Sequence, residues 1–234
     1  MHGISSRISD RPIPYEEGCI MKATLKSTDE VRTQIKNPDL VKQRRRQIVE
    51  AAVPLFIENG YHKTTTRQIA RKAGISVGSM YEYVTSKEDI LYLVCVSIHD
   101  MVETGIEKAL SRATGGRETL AEVLREYFMI CHNMREYILL MYQVTQSLPA
   151  QWQQKVLKNE IRITGLFIDV LRRIVTAGDL PHLAEHPFDL IAHNISVLGH
   201  QWAFRGWYLT RHYTIEGYIK FQTDFILGMA AGKK

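Results

Sequence analysis

Arg67 carries the side chain best suited to reading a base. Its planar guanidinium matches guanine O6 and N7 in a DNA major groove, and it serves equally well as a phosphate contact. Nine residues on, Ser76-Val77-Gly78-Ser79 is a run of small side chains that would let a helix N-terminus approach base edges closely. Arg44, Arg45 and Arg46 place three cations in succession, either a solvated face or a phosphate clamp, with Lys42 and Lys63 as weaker versions. Nothing comparable supports catalysis. There is no nucleophile elbow, phosphate-binding glycine loop, H-E-x-x-H or paired-carboxylate motif, so the chain is not read as an enzyme and no cofactor is expected. His186, His193 and His200 recur every seven residues, about 10 Å apart along a helix. That is too far for adjacent metal ligands, and no metal is expected.

The distribution of charge agrees with a nucleic-acid partner. The 234 residues carry 30 Lys/Arg against 25 Asp/Glu, a net +5. Residues 1–40 hold six of each sign, residues 41–90 hold nine basic and five acidic side chains, and the remainder holds fifteen and fourteen. Nearly all the excess lies in one 50-residue segment, the size of a small DNA-binding module. With 45% apolar and 24% charged residues, the composition excludes a wholly disordered chain. No apolar run reaches the roughly 18 residues of a membrane span. The N-terminus lacks a secretory pattern, and Cys19, Cys95 and Cys131 form no paired motif. The expectation is a cytoplasmic protein with reduced thiols and no membrane partner.

Helices separated by short breakers must position these residues. Residues 1–39, with Pro12, Pro14, Gly18 and Pro38, show no amphipathic period and are read as a disordered extension in which Met21 is an alternative start. Val41, Ile48, Ala52 and Phe56 mark a first helix ending at Asn59-Gly60. Thr65 to Gln68 is a capping box opening a second helix that stops at Gly74. Ser76 caps a third helix to about Tyr83, and Ser86 opens a long fourth to about 110. Helices at about 117–133, 135–147, 149–177, 187–209 and 215–231 complete an all-α chain. It divides into a helix-turn-helix domain over 40–85 and a helical domain over 86–234.

The residues, more than their spacing, carry a resemblance. Ile48-Val49-Glu50-Ala51-Ala52, Asn59-Gly60-Tyr61, Thr65 to Ala70, Ala73-Gly74-Ile75-Ser76, Gly78 to Tyr81 and Ser86-Lys87-Glu88 follow in order and register. This run resembles the DNA-binding head of TetR-type (tetracycline-repressor-like) transcriptional regulators over about residues 41–92; Pro54 and Val84 depart from the usual pattern. The resemblance implies that Thr65, Arg67, Ser76, Val77, Gly78 and Ser79 face the groove. It further implies that Tyr81, Tyr83 and Lys87 hold sugar or phosphate, with Arg44 and Arg45 beside them. The implied function is a ligand-responsive homodimeric repressor on a palindromic double-stranded DNA operator. The alternative is a regulator that binds DNA without a ligand.

In the second domain, the helix over 187–209 is apolar on more than one face, with Phe188, Ile191, Ile195, Leu198 and Trp202 in one stripe and Val197, Phe204 and Trp207 in another. The last helix has the same character in Ile215, Tyr218, Ile219, Phe221, Phe225, Ile226 and Met229. Homodimerisation through a four-helix bundle covers the surplus, with a purely internal core as the alternative. Tyr127, Met134, Tyr142, Trp152, Phe167, His193, Trp202 and Arg205 are the candidate ligand-binding residues, apolar surface mixed with polar groups, though such residues also serve as plain core. The segment Trp202 to Trp207 loosely resembles family members that sense fatty acyl-coenzyme A. The expected effector is an apolar molecule with an acidic head, against a drug-like aromatic compound.

Overall fold

A short polar cap starts the first helix. Asn37 accepts hydrogen bonds at its side chain from the amides of Asp39 (3.1 Å) and Leu40 (3.2 Å), and Pro38 occupies the first turn, where its missing N–H costs nothing. In the computed structural model, which describes residues 31–112, 115–181, 184 and 187–229, α1 runs from Pro38 to Asn59 without a break at Pro54. The Met21 start, the Cys19 thiol, His186 and most of the expected extension lie outside the described residues. The extension's last part does not behave as expected. Val31 is 1% exposed and Thr33 and Gln34 bond to the body of the head, so the folded unit begins by residue 31.

Two short helices follow as local chemistry dictates. Helix α2 (Thr66–Lys72) opens on the expected capping box, Gln68 N to Thr65 Oγ1 and Thr65 N to Gln68 Oε1. It ends in a paired turn: Ile75 N bonds Ala70 O and Gly74 N bonds Arg71 O, with Gly74 at φ +68°. Helix α3 (Val77–Tyr81) is only five residues, two shorter than expected, and Ser76 caps it through Ser79 N at 3.0 Å. Ile48, Phe56, Ile69, Met80 and Val84, each 1% exposed or less, lock α1–α3 together.

Helix α4 (Lys87–Arg112) is the spine joining head to body. Ser86 caps it through Asp89 N, and every residue from Asp89 to Val102 is buried. Around it pack α5 (Gly116–Asn133), α6 (Arg135–Val144) with one following turn of 3-10 helix, and α7 (Ala150–Thr176). Helix α8 (Phe188–Phe204) stops where one helix to 209 was expected. The backbone leaves helical geometry at Arg205, and a short α9 (Gly206–His212) starts afresh. Gly206, next to the break, favours it because glycine is among the poorest helix formers. Helix α10 (Ile215–Met229) closes the chain. The fold is all-α, with no strand among the described residues and no described helix long and apolar enough to cross a membrane.

Candidate nucleic-acid interface

The N-terminal turns of α2 and α3 share one exposed surface. Thr65, Arg67, Ser76 and Gly78 are exposed, and Val77 and Ser79 are half-buried at its edge, Val77 packing on the core. Tyr81, 42% exposed, ties the two helices by an Oη to Thr66 Oγ1 contact at 3.3 Å, which keeps its ring beside Arg67's turn. Arg67 projects, exposed, from the first turn of α2. Backbone amides at two capped helix starts, one long cation and small side chains between them suit a groove-facing surface.

Three expected DNA contacts are corrected. Arg45 is 1% exposed: its Nε donates to Tyr83 O at 2.9 Å and its Nη2 to Val31 O at 2.6 Å. Successive helical residues turn by about 100°, so a run of three arginines cannot share a face. Arg45 falls on the buried stripe between Val41 and Ile48, while Arg44 is half-buried and bonded to Gln47 at 2.8 Å. Tyr83, 5% exposed, is core rather than surface. Lys87 holds the head to the spine: Nζ donates to the carbonyls of Tyr61 (3.0 Å), Thr64 (3.1 Å) and His62 (3.4 Å) and lies 4.3 Å from the Tyr61 ring centre. Tyr61 Oη completes this hinge by donating to Glu88 at 3.0 Å; burial and then that carboxylate push its phenol well above its ordinary value.

The eight candidate ligand residues do not gather at one place. Tyr127, Phe167 and Tyr142 converge: the Tyr127 ring meets Phe167 edge-on at 4.9 Å, and Tyr142 Oη lies 2.9 Å from His200 Nδ1. Tyr127 is 2% and Phe167 0% exposed, whereas Tyr142 is 46% exposed. Trp152 instead stacks on Tyr92 of α4 at 4.2 Å, and Trp202 donates to His132 Nδ1 at 2.8 Å on the α10 side. Met134 is buried at the α5–α6 junction, while His193 and Arg205 are exposed, the latter's guanidinium 5.0 Å from the Trp207 ring. A cleft of about 370 Å³ lies between Ile57, α6 and α8–α9, and another of about 360 Å³ lies between α5 and α10; none of the eight lines either.

A polar cluster beside Tyr127 was not foreseen. His99 of α4, buried, lies with Nε2 3.1 Å from Glu160 Oε2 of α7, and its Nδ1 has no partner. Burial pushes the Glu160 carboxyl up, but the His99 hydrogen bond and the neighbouring His200 outweigh it and hold the group below its ordinary value. Burial pushes His200 down, opposed by Glu160. Cys95 and Cys131 are pushed up to about 12 by burial, so neither thiol is reactive at neutral pH. Among the described residues no three His, Cys, Asp or Glu side chains are placed to hold a metal ion.

A capped pair of short helices on a three-helix head, joined by a buried spine to a helical body, defines a helix-turn-helix transcriptional regulator. Residues 48–92 match the model of the family of bacterial regulatory proteins called the tetR family. The HTH-type transcriptional regulator HbdR of Aromatoleum sp. (strain CIB) is 30% identical over 196 residues, 84% of each chain. The fatty acid metabolism regulator protein of Bacillus subtilis is 34% identical over 145 residues, 59% of this chain and 71% of that one. The structure of AibR in complex with isovaleryl coenzyme A and operator DNA shares the fold at 14% identity and a TM-score of 0.62, covering 78% of this chain and 97% of that one. The chain belongs to the TetR family of transcriptional regulators and is a DNA-binding protein, not an enzyme.

Proposed function

We propose that the protein is a homodimeric repressor that binds a palindromic operator and is released by a small apolar effector of the acyl-coenzyme A or fatty-acid kind. The observation that carries the dimer is an unpaired apolar face. Leu190, Val197 and Phe204 recur every seven residues along α8 at 56%, 62% and 40% exposure, beside Phe221 (68%) and Phe225 (49%) of α10. Tyr218 of α10 donates to Leu198 O at 2.6 Å, which ties α10 to α8. A second copy related by a two-fold axis would bury both, and the two heads would then meet half-sites about one DNA turn apart.

Two findings support the effector class: the similarity to the Bacillus fatty acid metabolism regulator and to AibR in complex with isovaleryl coenzyme A, and the aromatic and polar cluster where α4, α5, α7 and α8 meet in the body. Proposed DNA contacts are Arg67, Thr65, Ser76, Gly78, Ser79 and Tyr81; Tyr127, Tyr142 and Phe167 are the proposed effector contacts. Because α4 carries the head at its start and the cluster at its middle, an effector that favours a different α4–α7 setting shifts the population away from the DNA-bound spacing. The test is operator release by acyl-coenzyme A esters of graded chain length, preceded by native mass spectrometry for a co-purified molecule. Release by one length range supports the reading. Inertness of every ester leaves a ligand-independent or drug-responsive regulator.

A further inference from the structure

The five-residue helix α3 is too short to hold its own C-terminal end. Helix ends leave carbonyls without intrahelical partners, and in this head two of them, at Glu82 and Tyr83, are taken by groups from outside the motif. Thr33 Oγ1 donates to Glu82 O at 2.8 Å and Gln34 N to the same oxygen at 3.3 Å. Arg45 Nε takes Tyr83 O, while its Nη2 reaches Val31 O and, at 3.4 Å, Arg32 O. Val31 seats in the core at 1% exposure, and Ile35 packs against that core. Residues 31–36 are therefore a strap lying across the end of the recognition helix and pinned there by a buried arginine.

The strap brings charge with it. Arg32 and Lys36 are exposed, and both flank the backbone that Glu82 holds, one residue from the exposed Tyr81. Residues 31–90 contain eleven Lys/Arg and six Asp/Glu, so head and strap together carry the whole net +5 of the chain. We propose that the strap is a second DNA-binding element of the head: Arg32 and Lys36 hold operator phosphates beside the recognition helix, and Thr33 and Arg45 act as positioning residues that keep α3 and the strap in register. This rests on the operator-binding reading above.

The experiment uses the full chain and a duplex containing its selected operator, with affinity measured from 50 to 200 mM salt for the wild type, Arg32→Gln/Lys36→Gln, Thr33→Val and Thr33→Ser. Each phosphate contact contributes about 0.9 to the slope of log K against log salt. The double variant removes two contacts from each of the two heads on the operator, so it is expected to lower the slope by about 3.6 and its deficit shrinks on the order of a hundredfold across that range, with base preference and melting temperature unchanged. Thr33→Val should weaken operator binding with no change in slope, and Thr33→Ser should restore it, because a serine hydroxyl can still donate to Glu82 O. An unchanged slope in the double variant, or a deficit that serine does not rescue, overturns the strap's role. Absence of sequence-specific binding by the wild type overturns the operator reading itself, and the strap's role with it.

Discussion

The His99–Glu160 pair is where α4 and α7 are held in register, and a double-mutant cycle weighs that hold. Replacing His99 with Leu leaves the Glu160 carboxylate without its imidazole; replacing Glu160 with Leu leaves an imidazole, its side chain 4% exposed, with neither nitrogen paired. A hydrogen bond to a charged group contributes about 1.5–3 kcal/mol, and an orphaned buried partner costs about 1–3 kcal/mol. Because the Glu160 side chain keeps 32% exposure, water compensates part of its loss, and each single change is expected to cost about 2 kcal/mol. Exchanging both for leucine removes the orphan together with the bond, so the double variant should cost less than the two singles combined, with a coupling of about 1–2 kcal/mol. The assay is urea unfolding of the four proteins at one fixed concentration, since a dimer's stability depends on concentration. Additivity within about 0.5 kcal/mol would refute the claim that the pair couples the two helices.

Two other consequences can be checked directly. His200 titrates below 6.5 in the folded chain, so on acidification the unfolded chain takes up its proton first; stability should fall as pH drops from 6.5 toward the folded value, and His200→Asn should flatten that part of the profile. Glu160, held below 4.5, contributes stability that is fully present above 4.5 and is lost as pH falls through its folded value, a second loss in the same direction. On the exposed face, Val197→Asp with Phe221→Asp should convert the proposed dimer to monomer by sedimentation and weaken operator binding at least about tenfold, with the helical circular dichroism retained. A dimer that survives this pair of charges rules out α8–α10 as the interface.

The head was legible because its signals are local. Thr65 with Gln68, Gly74 and Ser76 each specify a cap or turn within four residues, and all three form as their types dictate. What escaped reading was burial, which depends on partners far along the chain. Arg45 lies four residues after Val41 and three before Ile48, on the stripe that faces the core, so its inward direction was present in the spacing, whereas its partners at Val31 and Tyr83 were not. Glu160 likewise occupies a core slot between Val156 and Ile163; a carboxylate there must find a buried partner, but His99, 61 residues away, cannot be deduced from that. The eight ligand candidates were chosen by residue type, and type alone does not say that Trp152 faces α4 while Trp202 faces α10. The division at Arg205-Gly206 was signalled only by one glycine amid aromatics.

In-vitro selection of duplex DNA from a random library by the full chain, repeated with Arg67→Ala, tests the central claim most directly. The wild type should enrich an inverted repeat with half-sites about one helical turn, roughly 10 base pairs, apart or slightly more. Arg67→Ala should bind that operator more weakly by about 1–3 kcal/mol for each half-site and lose preference at one position in each. Enrichment of no sequence, or of a single unrepeated site, would contradict a two-fold repressor reading DNA through α2 and α3.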